Sequence, residues 1–290
     1  MHNAECFQNH LGLYAVEPTW FTSAVAAVKD GTWKPLALGA DDDSTPPYVV
    51  SADGLAVLSV TGPIMRARSK FGGASSIALR QALRAAVADD KVSAIMLRID
   101  SPGGTVAGTP ELAAEIRATD SKKPVYAHID DLGASAAYWI AAQARRVTAN
   151  ATAQIGSIGV FTVVKDTSKA AEMAGVKVHV ISTGEYKGGA DGAPVSDAQL
   201  AEVQKLVNEI NEFFMAAVVE GRAMDKKDVK AVADGRMFLA AEAKRLGLID
   251  AVASMDEVVS GYGEKIRQRK KMRAEQARLG LAIAAVEAQL

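Results

Sequence analysis

From Tyr48 onward the sequence alternates short apolar runs with segments of helical periodicity, which leaves few architectures open. Leu55–Gly62 (LAVLSVTG), Ser93–Asp100 (SAIMLRID) and Pro124–Ile129 have the length and apolar content of buried strands. Between them, Ile77–Val87 and Pro110–Ala118 space their apolar residues as helices do. Strands separated by helices pair in parallel through crossovers, so an α/β fold follows. On such sheets ligand sites lie beyond the carboxyl ends of the strands. Two small-residue turns fall there, SPGG (Ser101–Gly104) and GAS (Gly133–Ser135). Further on, Arg146–Phe161 predicts short strands broken by glycine, Lys169–Ala174 a helix and Val176–Thr183 an alternating strand. Ser196–Arg222 predicts one long helix with Ser196 as its N-cap, and Asp225–Ala233 and Ala240–Leu246 two short ones.

The flanks differ from this centre. Residues 1–47 are mixed, with helical periodicity over Glu17–Lys29, and end in the charged, proline-bearing stretch DDDSTPP, Asp41 to Pro47. They form an arm and linker before a main domain at 48–263. The tail 264–290 opens with the basic run EKIRQRKKMR and predicts a projecting, solvated helix rather than a nucleic-acid face. Charge supports this, since 33 basic against 34 acidic residues give a net charge of -1 and no general pull toward nucleic acid. The single cysteine, Cys6, cannot form an internal disulfide, which fits a reducing compartment. The start lacks a basic segment followed by an apolar run, and no apolar run approaches the roughly 20 residues of a membrane span. A cytoplasmic chain without a membrane anchor is expected.

Chemistry concentrates at GASAAYW, Gly133 to Trp139. A serine between a buried strand and a helix sits where backbone N–H groups lack intrahelical partners and can face a developing negative charge. Ser135 is therefore the candidate nucleophile. A serine needs a base, and the four histidines offer little: His2 and His10 lie in the arm, and His128 and His179 on strands. Lys187, in the glycine-rich STGEYKGG, is the stronger candidate. A lysine with its usual pKa near 10.4 is a poor base at neutral pH, but desolvation disfavours its charged form. Glycines at SPGG let backbone N–H groups approach a ligand, so Gly103 or Gly104, with the N–H of Ala136, suits an oxyanion hole. Ser157, in IGSIGV, is placed to orient the lysine amine. No cluster with metal-ligand spacing is present, and no cofactor is expected.

Taken in order, DSPGG, ASAAYW, TAQIGSIGV, STGEYKGG and DGRMFLAAEAKRLGLID resemble the signal peptide peptidase A family of serine–lysine peptidases, over about Leu55 to Val259. The resemblance implies a ClpP/crotonase-like fold and makes 48–263 the peptidase domain. It also implies Ser135 as nucleophile, Lys187 as general base, Ser157 as the hydroxyl that holds the lysine, and Gly103 with Ala136 as oxyanion donors. Two departures are visible. Ala136–Ala137 stands where a glycine pair is common, and ADGAP follows the lysine loop. A soluble arm, one peptidase repeat and a helical tail resemble the phage branch, whose head-maturation proteases cleave scaffold and capsid proteins. The tail would then begin a scaffold-like region. The resemblance further implies protein substrates and a homo-oligomer. A soluble housekeeping peptidase of the same chemistry is the nearest alternative. A crotonase-type acyl-CoA enzyme, for which Glu111 is the one acidic candidate near SPGG, and an inert scaffolding protein complete the set.

Overall fold

The computed structural model describes residues 12–32, 48–68 and 72–287, with side chains described up to residue 280. Cys6, His2, His10 and the linker at Asp41–Pro47 lie outside them. In chain order come β1 (Tyr14–Val16), α1 (Pro18–Lys29), β2 (Val49–Val50), β3 (Leu55–Thr61), β4 (Ile64–Met65) and β5 (Ala74–Ser75). They are followed by α2 (Ser76–Ala88), β6 (Ala94–Ser101), β7 (Gly103–Thr105), α3 (Thr109–Asp120), β8 (Val125–Ala134) and α4 (Ala136–Ala141). Next are β9 (Arg146–Ala149), β10 (Gln154–Gly156), α5 (Ser168–Met173), α6 (Asp197–Arg222) and α7 (Lys226–Val232). The chain closes with β11 (Met237–Leu239), α8 (Ala240–Arg245), β12 (Ala251–Val252) and α9 (Met255–Glu287).

The centre is the expected α/β arrangement. Strands β3, β6 and β8 lie side by side in parallel, joined through α2 and α3. The carboxyl half of β8 then pairs with β10, while its amino half pairs with β9. Apolar residues on both faces make these strands read as nearly continuous hydrophobic runs. One face is buried under α2, α3, α4 and the end of α6, where Leu83, Ile116, Trp139 and Phe214 join Leu58 and Ile99 in one core. The other face is covered at its amino end by α9. There Val258, Tyr262 and Ile266, four residues apart, pack on Leu55, Met96 and Tyr126. Tyr126 and Tyr262 stack at 3.7 Å between ring centroids.

A second, smaller sheet has the order β1-β7-β4-β5 and carries the SPGG turn. Residue Gly104 lies between Ala15 of β1 and Ile64 of β4, and a side chain there would overlap the Ile64 carbonyl. The arm is thus stitched into the sheet beside SPGG.

Two expectations need correction. Val176–Thr183 is not a strand: most of residues 163–191 are exposed and irregular, and no ladder partner for the segment exists among the described residues. Its alternation specifies two faces, but a strand also needs a neighbour to take its backbone hydrogen bonds. The terminal helix starts at Met255, well before the expected tail at Glu264, because its first turns are a packing element. Helix α4 has no solvent face, since every residue from Ala136 to Ala141 is buried. Where the caps are strong the expected ends hold. Ser196 and Gln199 form a reciprocal capping box at the start of α6.

Candidate active site

Strand β8 runs directly into Ser135, which is fully buried and has φ 55 and ψ -119. For a residue with a side chain this is a strained backbone, of the sort held in place by its surroundings. The surroundings are specific. The Ser135 N–H donates to the Gly156 carbonyl at 2.8 Å, and its hydroxyl lies 3.5 Å from the Gly159 carbonyl. Both acceptors flank Ser157. The Trp139 N–H donates back to the Ser135 carbonyl at 2.8 Å, starting α4.

Trp139 in turn stacks on Phe214 of α6, with centroids 4.5 Å apart and planes 8° from parallel. The Gln143 side chain bridges the carbonyls of Trp139 and Ala217, at 2.9 and 3.1 Å. The tyrosine between, Tyr138, donates its hydroxyl to the Leu248 carbonyl at 2.8 Å. Burial pushes that phenol's pKa up, so it stays a donor. The serine turn is therefore anchored from behind by side chains of α4 and α6 and by Gln143.

Gly103 comes next to this turn. It has φ 94, and an added side chain there would overlap the Ala15 carbonyl and come within 2.9 Å of the Ala136 nitrogen. Its N–H donates to the Ser101 hydroxyl at 3.2 Å. Gly104 is committed to the sheet between β1 and β4. Ser157, buried and at φ 48, donates its N–H to the Arg236 carbonyl at 2.8 Å. The fold thus gathers Ser135, Ala136, Gly103 and Ser157 at the carboxyl end of β8.

Lys187 is placed differently. It lies in an exposed turn of the 163–191 excursion, with its N–H donating to the Gly184 carbonyl at 3.1 Å. Within the single chain, no hydrogen bond joins it to Ser135 or Ser157 among the described residues. The excursion closes on itself at its base, where the Thr167 hydroxyl meets Asp191 at 2.5 Å and the Val195 N–H meets Asp166 at 3.2 Å.

His128 is buried on β8 and is paired through Nδ1 with the Thr148 hydroxyl at 2.9 Å. Since that hydroxyl is turned toward the Ala127 carbonyl at 3.2 Å, His128 donates from Nδ1. Burial lowers its pKa, against the pull of Asp130. It lies seven residues along the strand from Ser135, about 23 Å at strand rise, and cannot serve it as a base. Among the described residues, no three or more His, Cys, Asp or Glu side chains gather as a metal would require.

Two features were not legible in advance. One is the pair of carbonyls at Gly156 and Gly159 that grip the serine, although IGSIGV did mark the segment. The other is the arm: Tyr14 exchanges both backbone hydrogen bonds with Phe161, at 2.9 and 3.0 Å, and Tyr14, Phe21 and Phe161 cluster their rings.

Comparison with known proteins follows the same residues. Residues 117–269, more than half of the chain, match the model of peptidase family S49. The chain is 28% identical to Protease 4 of Haemophilus influenzae over 74% of its own length and 35% of that protein's. It is 30% identical to the capsid assembly protease C of Escherichia phage lambda over 81% of its length and 55% of that protein's. It therefore spans 35% and 55% of the lengths of these two relatives. Among solved structures, the ClpP protease catalytic domain of Plasmodium falciparum is similar with a TM-score of 0.45 and 14% identity, over 69% of this chain and 85% of that one. With its family model matched across β8, the Ser135 turn and the helices behind it, the chain belongs to peptidase family S49.

Proposed function

We propose that the protein is a serine endopeptidase that works through a Ser135–Lys187 dyad. Ser135 attacks the peptide carbonyl, neutral Lys187 takes its proton and then hands it to the leaving amine. Water, deprotonated by the same lysine, hydrolyses the acyl-enzyme. The N–H of Ala136, with that of Gly103 or Gly104 once released from its present partner, stabilises the tetrahedral oxyanion, and Ser157 orients the amine. The observation that carries this is the strained, gripped Ser135 with Ala136 and Gly103 beside it. Neither the strain nor the close approach of Gly103 is needed to make a strand-to-helix turn, and both suit a presented nucleophile.

The exposed lysine bears on the assembly. A lysine base works desolvated, so this chemistry needs Lys187 to be covered and brought to Ser135. The excursion around it exposes Val176, Val180, Ile181 and Tyr186, and the first half of α6 exposes Leu200 and Leu206. Such a surface asks for a neighbour. A homo-oligomer, in which another copy buries the 176–190 segment, supplies one. No described helix is long and apolar enough to cross a membrane.

For substrates, kinship to a phage capsid assembly protease over most of the chain supports scaffold and capsid proteins of a procapsid. A second reading, a housekeeping peptidase, is favoured by the equally good match to Protease 4. The test is to incubate wild type and Ser135→Ala with capsid and scaffold proteins and with a panel of signal peptides, and to read fragments by mass spectrometry. Cleavage of the former by wild type alone supports the procapsid reading, and cleavage of signal peptides alone supports the second. Fragments that also appear with Ser135→Ala would refute the serine mechanism.

A further inference from the structure

Ser135 is fully buried, yet a peptidase nucleophile must meet an extended peptide. Beside its turn runs the chain's own backbone. Strand β1 pairs antiparallel with β7 in the register Tyr14 to Thr105, Ala15 to Gly104 and Val16 to Gly103. On its other side Tyr14 exchanges hydrogen bonds with Phe161, two residues beyond the carbonyl that faces the Ser135 hydroxyl. Two further bonds extend the contact, Val106 N–H to the Leu13 carbonyl at 2.9 Å and Glu17 N–H to the Pro102 carbonyl at 2.7 Å. The Ala15 carbonyl lies against Gly103, on the side where Gly103 faces the Ala136 nitrogen.

Without β1, β7 and the Gly159–Phe161 segment would present two open backbone edges on either side of the serine turn. Open edges are where extended peptides add as strands, since main-chain groups there need partners. A substrate strand and β1 would thus compete for the same donors and acceptors. The arm's hold is also light. Among its described residues only Ala15, Val16 and Ala24 are buried, and its rings meet the body in the cluster of Tyr14, Phe21 and Phe161. Segments with few buried apolar contacts open at low cost. Helix α1 carries its own start signals, with Pro18 in its first turn and the Glu17 carboxylate capping the N–H groups of Thr19 and Trp20. It can move as a unit with β1.

We propose that β1 and α1 are a displaceable strap that occupies the groove for an extended peptide and keeps Ser135 closed until a substrate strand takes the place of β1. This rests on Ser135 being the nucleophile. The small buried pair Ala15–Val16 also indicates that the groove accepts small aliphatic side chains at that level.

The test uses the full chain with two substitutions that loosen the strap and leave the site intact, Tyr14→Gly and Ala15→Pro. The readout is the rate at which a fluorophosphonate labels Ser135, with circular dichroism and thermal melting to confirm folding. Labelling at least tenfold faster than wild type in both variants is expected. Equal rates in folded variants would overturn the strap and leave the nucleophile standing, as would labelling lost only in the variants. No labelling of Ser135 in any form would remove both. Amide hydrogen exchange on wild type gives an answer even if a variant fails to fold. The Tyr14 and Phe161 amides should exchange well before those of β6, and protection as strong as that of β6 would overturn the proposal.

Discussion

Ser135 holds a backbone conformation that a side-chain-bearing residue adopts at a cost of about 1–3 kcal/mol. Glycine adopts it freely, but loses about 0.5–1 kcal/mol to the entropy of the unfolded chain. Ser135→Gly is therefore expected to be more stable than Ser135→Ala by about 1 kcal/mol in urea unfolding, while neither carries a nucleophile. Equal stability would mean that the turn stores no strain. At this scale much was legible. SPGG, GAS and IGSIGV announce small residues where backbones must approach closely, and Gly103, Ser135 and Ser157 do meet at positive φ. The environment of Lys187 was not legible. Whether an amine is desolvated depends on what covers its loop, and spacing along a chain carries no information about that.

At the scale of elements, the Ser135 turn is supported through α4, whose Trp139 lies flat on Phe214 of α6. Phe214→Ala leaves a cavity beneath the serine helix. It should cost about 3–5 kcal/mol in denaturant unfolding, the usual range for a buried aromatic. A smaller effect on stability than on Ser135 labelling would show that the pair serves positioning more than packing. The far end of α6 is tied to the sheet by Arg222, which pairs with Asp250 at 2.9 Å, while Asp250 also accepts from the Val147 N–H at 2.6 Å. Burial works to raise the Asp250 pKa, but the Arg222 and Val147 hydrogen bonds outweigh it and hold the carboxyl below its usual 3.8. A depressed carboxylate contributes stability that is complete above its unfolded pKa and is lost as pH falls through the folded one. Wild type should therefore lose stability below about pH 4 more steeply than Asp250→Asn, as read by melting temperature against pH. Parallel slopes would contradict it. The sequence revealed α6 and its cap, because a capping box and a long apolar stripe are local signals. It misplaced the strand at Val176–Thr183 and the start of α9, because strand pairing and the Tyr126–Tyr262 contact are made by residues far apart in the chain.

For the whole molecule, the parallel centre followed from alternating periodicities, whereas the second sheet did not. Its strands are two or three residues long, too short to show a period, and one comes from the arm. The proposed enzyme thus has a rigid half, where Ser135, Ala136, Gly103 and Ser157 are fixed by the core, and an exposed half that carries Lys187. The dyad joins them only if assembly covers the excursion, so activity per chain should fall on dilution together with the oligomer seen by light scattering. Constant activity across dissociation would place the base elsewhere. The most direct measurement is the rate of Ser135 labelling by a fluorophosphonate in wild type and Lys187→Ala, with the modified peptide identified by mass spectrometry. The account predicts labelling of Ser135 in wild type that drops by about 10²–10⁴-fold without the amine. Wild-type labelling rates in Lys187→Ala would contradict it.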